Sequence, residues 1–132
     1  MITRQQMFEP ILIADPSFAQ AWSTFVNEWR DESELPLYIC LSAFARHLIG
    51  KLEEGDTSAF DAIFDVVERW HVEGDPYVRE AASLGLLEDL QNGNLHRVTT
   101  PGAFLPWLRP VSRRWWDKVE AFWETGSPLR DD

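Results

Sequence analysis

The sequence predicts an all-α fold, a compact bundle of five to six helices. Apolar side chains recur at spacings of three and four along most of the chain, whereas the alternation typical of strands is scarce. Two Asp-Pro pairs, at 15–16 and 75–76, each combine an N-cap residue with a proline suited to the first helical turn. The 132 residues, 45% of them hydrophobic, suffice for one domain with a sizeable core.

Six helical segments are predicted in chain order, at about 5–13, 16–31, 36–53, 57–72, 76–91 and 111–124. Pro10 is expected to bend or break the first segment, because proline inside a helix removes a hydrogen bond and clashes with the preceding turn. Gly55 is expected to end the third segment, and Asp56 or Thr57 to cap the fourth.

The chain after the fifth segment is predicted to be less regular. Asn92, Gly93 and Asn94 end that segment, and residues 93–103 are expected to form a loop. Two prolines limit residues 104–110 to short helical turns. We expect one helical domain at 1–126, followed by a loose C-terminal tail at 127–132.

The longer segments differ in how their apolar residues are arranged. The second and fourth segments each carry one apolar stripe. In the second segment it consists of Phe18, Trp22, Phe25, Val26 and Trp29. In the fourth segment it consists of Phe60, Ile63, Phe64, Val67 and Trp70. The apolar residues of the third lie nearly all round it, which predicts a central, well-covered helix. Most of the seven tryptophans are expected in the core, with a minority at binding surfaces.

Acidic residues are concentrated around the fourth and fifth predicted segments, which we expect to form one helical hairpin. Residues 53–89 contain eleven acids and only two bases, so this stretch carries −9 of the net charge of −10. This charge makes nucleic acid a poor partner, because binding phosphates requires Lys and Arg. It favours a basic protein partner, whose encounter it accelerates. The alternative is that acidity only keeps the protein soluble.

Several other classes of protein are disfavoured. No apolar run is long enough to span a membrane and the first residues lack a signal-peptide hydrophobic region, so a cytoplasmic protein is expected. Cys40 is the only cysteine and is predicted to be a small buried hydrophobe. His47, His71 and His96 stand alone in different segments. No catalytic residue, metal site or cofactor is predicted, and a small hydrolase or metal-dependent enzyme remains the weakest alternative.

A basic cluster precedes and enters the last predicted helix. It consists of Arg109, Arg113, Arg114 and Lys118, near Trp115 and Trp116. One interpretation is a site for an anion or an acidic partner, helped by stacking of arginine on tryptophan. The other interpretation is intramolecular, with these cations neutralising part of the acidic hairpin.

The run Asp75-Pro76-Tyr77-Val78-Arg79-Glu80-Ala81-Ala82, with Leu84, Leu87 and Leu90, resembles the second helix of a HEAT repeat. Segment 57–72 is then the first helix of the same hairpin, which lies in the middle of the bundle. The resemblance covers about 35 residues in one unit, whereas a solenoid needs three or more. It therefore implies a way of packing two helices rather than a repeat protein.

The chain also resembles uncharacterised families of small, acidic, helical bacterial proteins. The resemblance rests on the run at 74–90 and on the segment from Phe104-Leu105-Pro106-Trp107-Leu108 to Trp115-Trp116-Asp117. Members of such families resemble immunity proteins encoded beside secreted toxins. The resemblance implies no catalytic motif and assigns no role to any residue.

The leading hypothesis is a non-enzymatic binding protein, an immunity or antitoxin-like inhibitor that occludes a basic partner such as a nuclease toxin. The predicted contact residues are Asp61, Asp65, Glu68, Glu73, Asp75, Glu80, Glu88 and Asp89, with Tyr77 or Trp70 as an exposed aromatic anchor. The alternative is a self-associating helical scaffold or adaptor, for example a homodimer, whose acidity serves solubility.

Overall fold

The computed structural model describes residues 1–130, and helices dominate them. The α-helices are α1 Phe8–Ala14, α2 Ala19–Glu28, α3 Leu37–Glu54, α4 Phe60–Glu73, α5 Pro76–Glu80, α6 Glu88–Leu90 and α7 Pro110–Thr125. A π-helical stretch, Ala81–Leu87, joins α5 to α6, and 3₁₀ turns lie at Pro16–Phe18, Gly93–Leu95 and Pro101–Trp107. The described part of the chain contains no strand, only an isolated bridge between Ile2 and Gly74. The prediction of a compact all-α fold is confirmed.

The described residues form seven α-helices, so the predicted count of five to six is not confirmed. The π-helical stretch divides the predicted fifth helix into two short α-helices, α5 and α6. The Ser83 hydroxyl donates hydrogen bonds to the carbonyls of Arg79, at 3.2 Å, and Glu80, at 3.4 Å. Such side-chain bonds satisfy carbonyls whose backbone partners shift when a helix widens to the i→i+5 pattern.

The helix boundaries test the predicted start and stop signals. Asp75 caps α5, since its carboxylate accepts a hydrogen bond from the Val78 N–H at 2.9 Å. Gly55 ends α3 with a φ of 74°, a conformation that glycine adopts without steric cost. Pro10 does not break α1, because the helix starts at Phe8 and proline is tolerated within the first turn. Residue 59 occupies the N-cap position of α4, and neither Asp56 nor Thr57 caps it.

The core is formed mainly by α3, α4 and the π-helical stretch. Its largest fully buried side chains include Trp70, Trp116, Phe18, Phe44, Phe60, Phe64 and Phe104. Coverage of α3 is less complete than predicted, because Ile39 is 52% exposed near its start. Cys40 is buried, and burial raises the pKa of its thiol to about 12, so it behaves as an inert hydrophobe.

The first residues of the chain are attached to the turn between α4 and α5. The Ile2 N–H donates to the Glu73 carbonyl at 2.8 Å, and the Asp75 N–H donates to the Ile2 carbonyl at 2.9 Å. Gly74 lies between these two bonds and is buried. A Cβ at Gly74 would lie 2.3 Å from the Trp70 carbonyl oxygen and 2.7 Å from a Val78 methyl group. This turn therefore has no room for a side chain.

Gly74→Ala is expected to lower the free energy of unfolding by about 2 kcal/mol, because a backbone carbonyl cannot move aside as a flexible side chain would. Gly93→Ala is the matched control, since a Cβ there meets nothing within 4 Å. Urea denaturation of the two variants measures the difference. If both unfold at the same urea concentration, the turn relaxes more easily than its geometry indicates.

Residues 127–130 follow α7 without regular secondary structure. Residues 131 and 132, the remainder of the predicted loose tail, lie outside the described residues. No helix within residues 1–130 combines the length and apolarity needed to cross a bilayer.

Candidate functional site

The acidic residues of α4 are largely engaged with the start of α7. Glu68 is partly buried, and its carboxylate accepts hydrogen bonds from the Val111 N–H at 3.0 Å and the Ser112 N–H at 2.8 Å. It also accepts one from the Ser112 hydroxyl at 2.9 Å. Partial burial by itself would raise the pKa of Glu68, but these hydrogen bonds outweigh it and lower the pKa. Glu68 therefore caps α7 from a neighbouring helix.

Asp61 and Asp65 hold the residue just before α7. Arg109 Nη2 lies 3.2 Å from an Asp61 carboxylate oxygen, and Arg109 Nε lies 3.6 Å from Asp65. Both carboxylates are exposed, so each pair contributes little to stability by itself. For Arg109, the geometry favours the intramolecular interpretation of the basic cluster.

The rest of the basic cluster is dispersed along α7. Arg113 pairs with Asp117 at 3.2 Å, one helical turn away. Lys118 Nζ lies 4.6 Å above the ring of Trp115. Arg114 is exposed and forms no ion pair within the described part of the chain. Among the four cations, Arg114 is thus the one with no ion pair or aromatic partner in residues 1–130.

His71 is buried between α4 and α7. Its Nδ1 lies 3.1 Å from the Val67 carbonyl and 3.1 Å from the Ser112 hydroxyl, while its Nε2 is buried without a partner among residues 1–130. Burial lowers the pKa of His71 to about 4, although the neighbouring Glu68 carboxylate raises it in part. Because Ser112 is fully buried, this group of polar residues offers a substrate no access.

The free energy of unfolding is expected to fall by about 2 kcal/mol between pH 7 and pH 4.5 on account of His71. In this window the unfolded chain, with an ordinary histidine pKa of 6.5, binds a proton that folded His71, with a pKa of about 4, does not. The free energy of unfolding therefore decreases as the pH falls. At still lower pH, protonation of Glu68 decreases it further, because the pKa of folded Glu68 lies below its ordinary value. Urea denaturation at both pH values measures it. If the His71→Gln variant lost the same free energy of unfolding between these two pH values, groups other than His71 would cause the effect.

The remaining predicted contact residues of the hairpin lie apart from these. Glu73 is exposed and pairs with Arg69 at 3.8 Å, and Asp75 is committed to capping α5. Tyr77 is half-buried, with the Arg4 guanidinium 4.3 Å from its ring centre. Glu80 is exposed.

Trp70 is not exposed, so its prediction as an aromatic anchor is wrong. Its side chain is 0% exposed, and its indole N–H donates to the Met7 carbonyl at 3.0 Å. It packs edge-on against Phe8, with the ring centres 5.8 Å apart. The apolar stripe on which Trp70 lies faces the core, so no partner can reach this side chain.

Glu88 and Asp89 lie in an acidic cleft between α6 and the second half of α7. Its volume is about 560 Å³, and it is lined by Glu88, Asp89, Gln91, Asn92, Gly93, Pro101, Glu120, Trp123 and Glu124. Four of these residues are acidic and none is basic. Gln91 joins the two walls, since its side-chain amide donates to the Trp116 carbonyl at 2.8 Å. Sequence reasoning missed Glu120, Trp123 and Glu124, whose spacing on α7 places them on one face.

The cleft keeps its carboxylates in an unfavourable environment for negative charge. Burial, together with the nearby Asp89 carboxylate, raises the pKa of Glu88. Burial also raises the pKa of Asp89, although Arg46 lowers it in part. A cation entering the cleft would relieve this repulsion. Trp123, 64% exposed at the edge of the cleft, presents an aromatic face suited to a guanidinium or an apolar side chain.

A second polar cluster lies at the start of α2. Asp15 is 2% exposed, and its carboxylate lies 2.9 Å from His47 Nε2 and accepts a hydrogen bond from the Ser17 hydroxyl. The same His47 nitrogen lies 3.2 Å from the Ser17 hydroxyl. In a catalytic triad the carboxylate and the hydroxyl face opposite nitrogens of the histidine ring. This arrangement instead ties the start of α2 to α3, and Asp15 makes no side-chain cap.

Within residues 1–130, no three His, Cys, Asp or Glu side chains are grouped closely enough to hold a metal ion.

A family model described as "Domain of unknown function (DUF7674)" matches residues 8–124. The matched range begins at the first residue of α1, ends just before the end of α7 and includes every residue of the acidic cleft. No curated protein and no solved structure matches the chain.

Proposed function

The chain belongs to the DUF7674 family, a domain of unknown function, and from this premise we propose that it is a non-enzymatic module that binds a basic protein partner. The acidic cleft between α6 and α7 is the contact site. Its central residues are Glu88, Asp89, Glu120 and Glu124, with Trp123 as the aromatic anchor. This replaces the outer face of α4 as the proposed docking surface, because Asp61, Asp65 and Glu68 already serve α7.

One observation supports this proposal above the others: four carboxylates border one cleft of about 560 Å³ that has no basic residue in its lining. Two of them have their pKa raised by burial, so their charge is incompletely compensated by solvent or protein. A lysine or arginine side chain of a partner supplies the missing charge. Trp123 then provides apolar contact area, as tryptophan commonly does at the centre of an interface.

The net charge of −10 supports the same proposal over a longer range. A strongly acidic surface attracts a basic protein before contact and accelerates association, an effect that salt weakens. Binding is therefore expected to be strongest at low ionic strength.

In its most specific form, the proposal is an immunity or antitoxin-like inhibitor. Its partner is a basic toxin such as a nuclease, and inhibition occurs by occlusion of the toxin's cleft. The resemblance of the sequence to small acidic immunity proteins supports this form. So does the resemblance of the sequence at 57–91 to a HEAT-like helical hairpin.

A pull-down from the native host at low salt, followed by mass spectrometry, identifies the partner. We expect the double variant Glu120→Lys/Glu124→Lys to weaken its binding at least tenfold, because two attractive charges become repulsive. Glu28→Lys/Glu32→Lys is the matched control, since both residues are exposed on or after α2 and the net charge changes equally. An equal loss in both pairs would mean that only total charge matters and the cleft is not the site.

Self-association is the second candidate function, and the exposure of two adjacent aromatic residues favours it. Phe122 is 37% exposed and Trp123 64% exposed on α7. A homodimer through this face would dissociate in Trp123→Ala and would be insensitive to salt. Light scattering at low and high salt separates it from a charge-dependent complex.

A further inference from the structure

A second groove lies between the α5 end of the hairpin and α7, on residues that the acidic cleft does not use. Its volume is about 280 Å³, and its lining includes the apolar side chains of Pro76, Leu84 and Trp115 and the polar ones of Arg79, Glu80 and Ser83. The groove thus combines an apolar floor with an exposed carboxylate, that of Glu80.

Residues 127–130 reach this groove from the end of α7. Leu129 belongs to its lining and is half-buried, whereas its neighbours Pro128 and Arg130 are exposed. The Lys118 ammonium donates a hydrogen bond to the Arg130 carbonyl. Within the described chain, residues 127–130 form no backbone–backbone hydrogen bond. Ser127 is tied to Thr125 by two hydrogen bonds, whereas within the described chain residues 128–130 are held by the Leu129 side chain and the Lys118 hydrogen bond.

We propose that this groove is a docking site for an extended segment of a partner protein in which a large apolar residue is followed by a basic one. Residues 127–130 occupy the groove within the molecule until such a segment displaces them. The proposal concerns a surface separate from the acidic cleft and does not depend on the function assigned to that cleft.

The chemistry of the occupant follows from what now lies in the groove. Leu129 lines the groove together with Trp115 and Leu84, so burial of apolar surface is the main attraction for an occupant. The residue that follows Leu129 in this chain is the basic Arg130, and the exposed Glu80 carboxylate is the lining group that would favour a cation there, against the opposing charge of Arg79. Lys118 donates a hydrogen bond to the backbone carbonyl of the residue that follows the apolar one. This hydrogen bond orients the bound segment and is independent of that residue's side chain.

The weak attachment of residues 127–130 makes displacement feasible. Displacement restores part of the conformational freedom of residues 127–130, and this gain in entropy offsets part of the contact that they lose. An attached segment competes at an effective concentration in the millimolar range, which lowers the apparent affinity of a free peptide but does not exclude it.

The test is a chemical-shift titration of the ¹⁵N-labelled full chain with the acetylated, amidated peptide Gly-Ser-Pro-Leu-Arg, the sequence of residues 126–130. Leu129→Asp releases the attached segment, because it places a carboxylate on an apolar floor beside Glu80. We expect this variant to bind the peptide at least tenfold more tightly than the unmodified chain. A peptide with Asp in place of Leu should not bind.

Leu84→Glu in the Leu129→Asp background locates the site, and we expect it to abolish peptide binding while circular dichroism remains unchanged. Ser127→Asp is the matched control, since it places the same charge on an exposed residue of the segment. Absence of binding to Leu129→Asp, or equal binding to Leu129→Asp and the unmodified chain, would overturn the proposal. So would binding that survives Leu84→Glu.

Discussion

Trp70→Ala is expected to lower the free energy of unfolding by about 4 kcal/mol, the largest effect predicted for this protein. The side chain is fully buried where α4 meets α1, so its removal leaves a cavity that neighbouring aromatic rings cannot fill. It also leaves the Met7 carbonyl without its indole donor. Guanidinium denaturation followed by circular dichroism measures the change.

Two further variants separate the contributions of Trp70. Trp70→Phe retains an aromatic ring but loses the hydrogen bond to Met7, and we expect it to cost about 1–2 kcal/mol. Trp123→Ala applies the original substitution to an exposed tryptophan, and its expected cost is below about 1 kcal/mol. If Trp70→Ala and Trp123→Ala were equally stable, Trp70 would not be part of the core.

Glu68→Ala is expected to lower the free energy of unfolding by about 3 kcal/mol. Three donors at the start of α7 lose their acceptor, namely the N–H groups of Val111 and Ser112 and the Ser112 hydroxyl. Hydrogen bonds to a charged partner contribute more than neutral ones, and buried donors left unpaired carry a desolvation cost. The charge also lies near a helix N-terminus, where the helix dipole stabilises it.

Urea denaturation of matched variants tests this assignment. Glu68→Gln keeps one acceptor oxygen without the charge, so we expect it to lose about half as much stability. Glu73→Ala removes an exposed carboxylate about one and a half turns further along α4, which pairs with Arg69 at 3.8 Å. We expect this variant to lose less than about 0.5 kcal/mol of the free energy of unfolding. A similar small cost for Glu68→Ala would show that solvent replaces its hydrogen bonds.

Local signals in the sequence predicted the helical fold well. Apolar periodicity and capping act between residues a few positions apart, so they survive whatever the rest of the chain does. Asp75 caps its helix and Gly55 ends another as predicted. The error at Pro10 has a local cause too: a shift of three residues in the start of α1 turns an interior proline into a first-turn proline.

The candidate site was only partly predictable. Glu88 and Asp89 were among the predicted contact residues and do line the acidic cleft. Their partners in that cleft, Glu120 and Glu124, come from a helix more than thirty residues later, and no local pattern links the two segments. The prediction that Trp70 is exposed was wrong because it set aside the periodicity of the fourth segment, which places Trp70 on the same apolar stripe as Phe64 and Val67, and that stripe faces the core.

The sequence by itself determined the helical class, the helix-forming segments and the net charge, because these depend on residue type and on short-range spacing. Only the tertiary structure decided which acids remain available to a partner. Glu68 and Ser112 lie 44 positions apart, and Arg109 and Asp61 lie 48 apart, yet each pair is in contact. A carboxylate that accepts hydrogen bonds from its own chain is no longer free to bind another protein, and that condition is set by packing between distant segments.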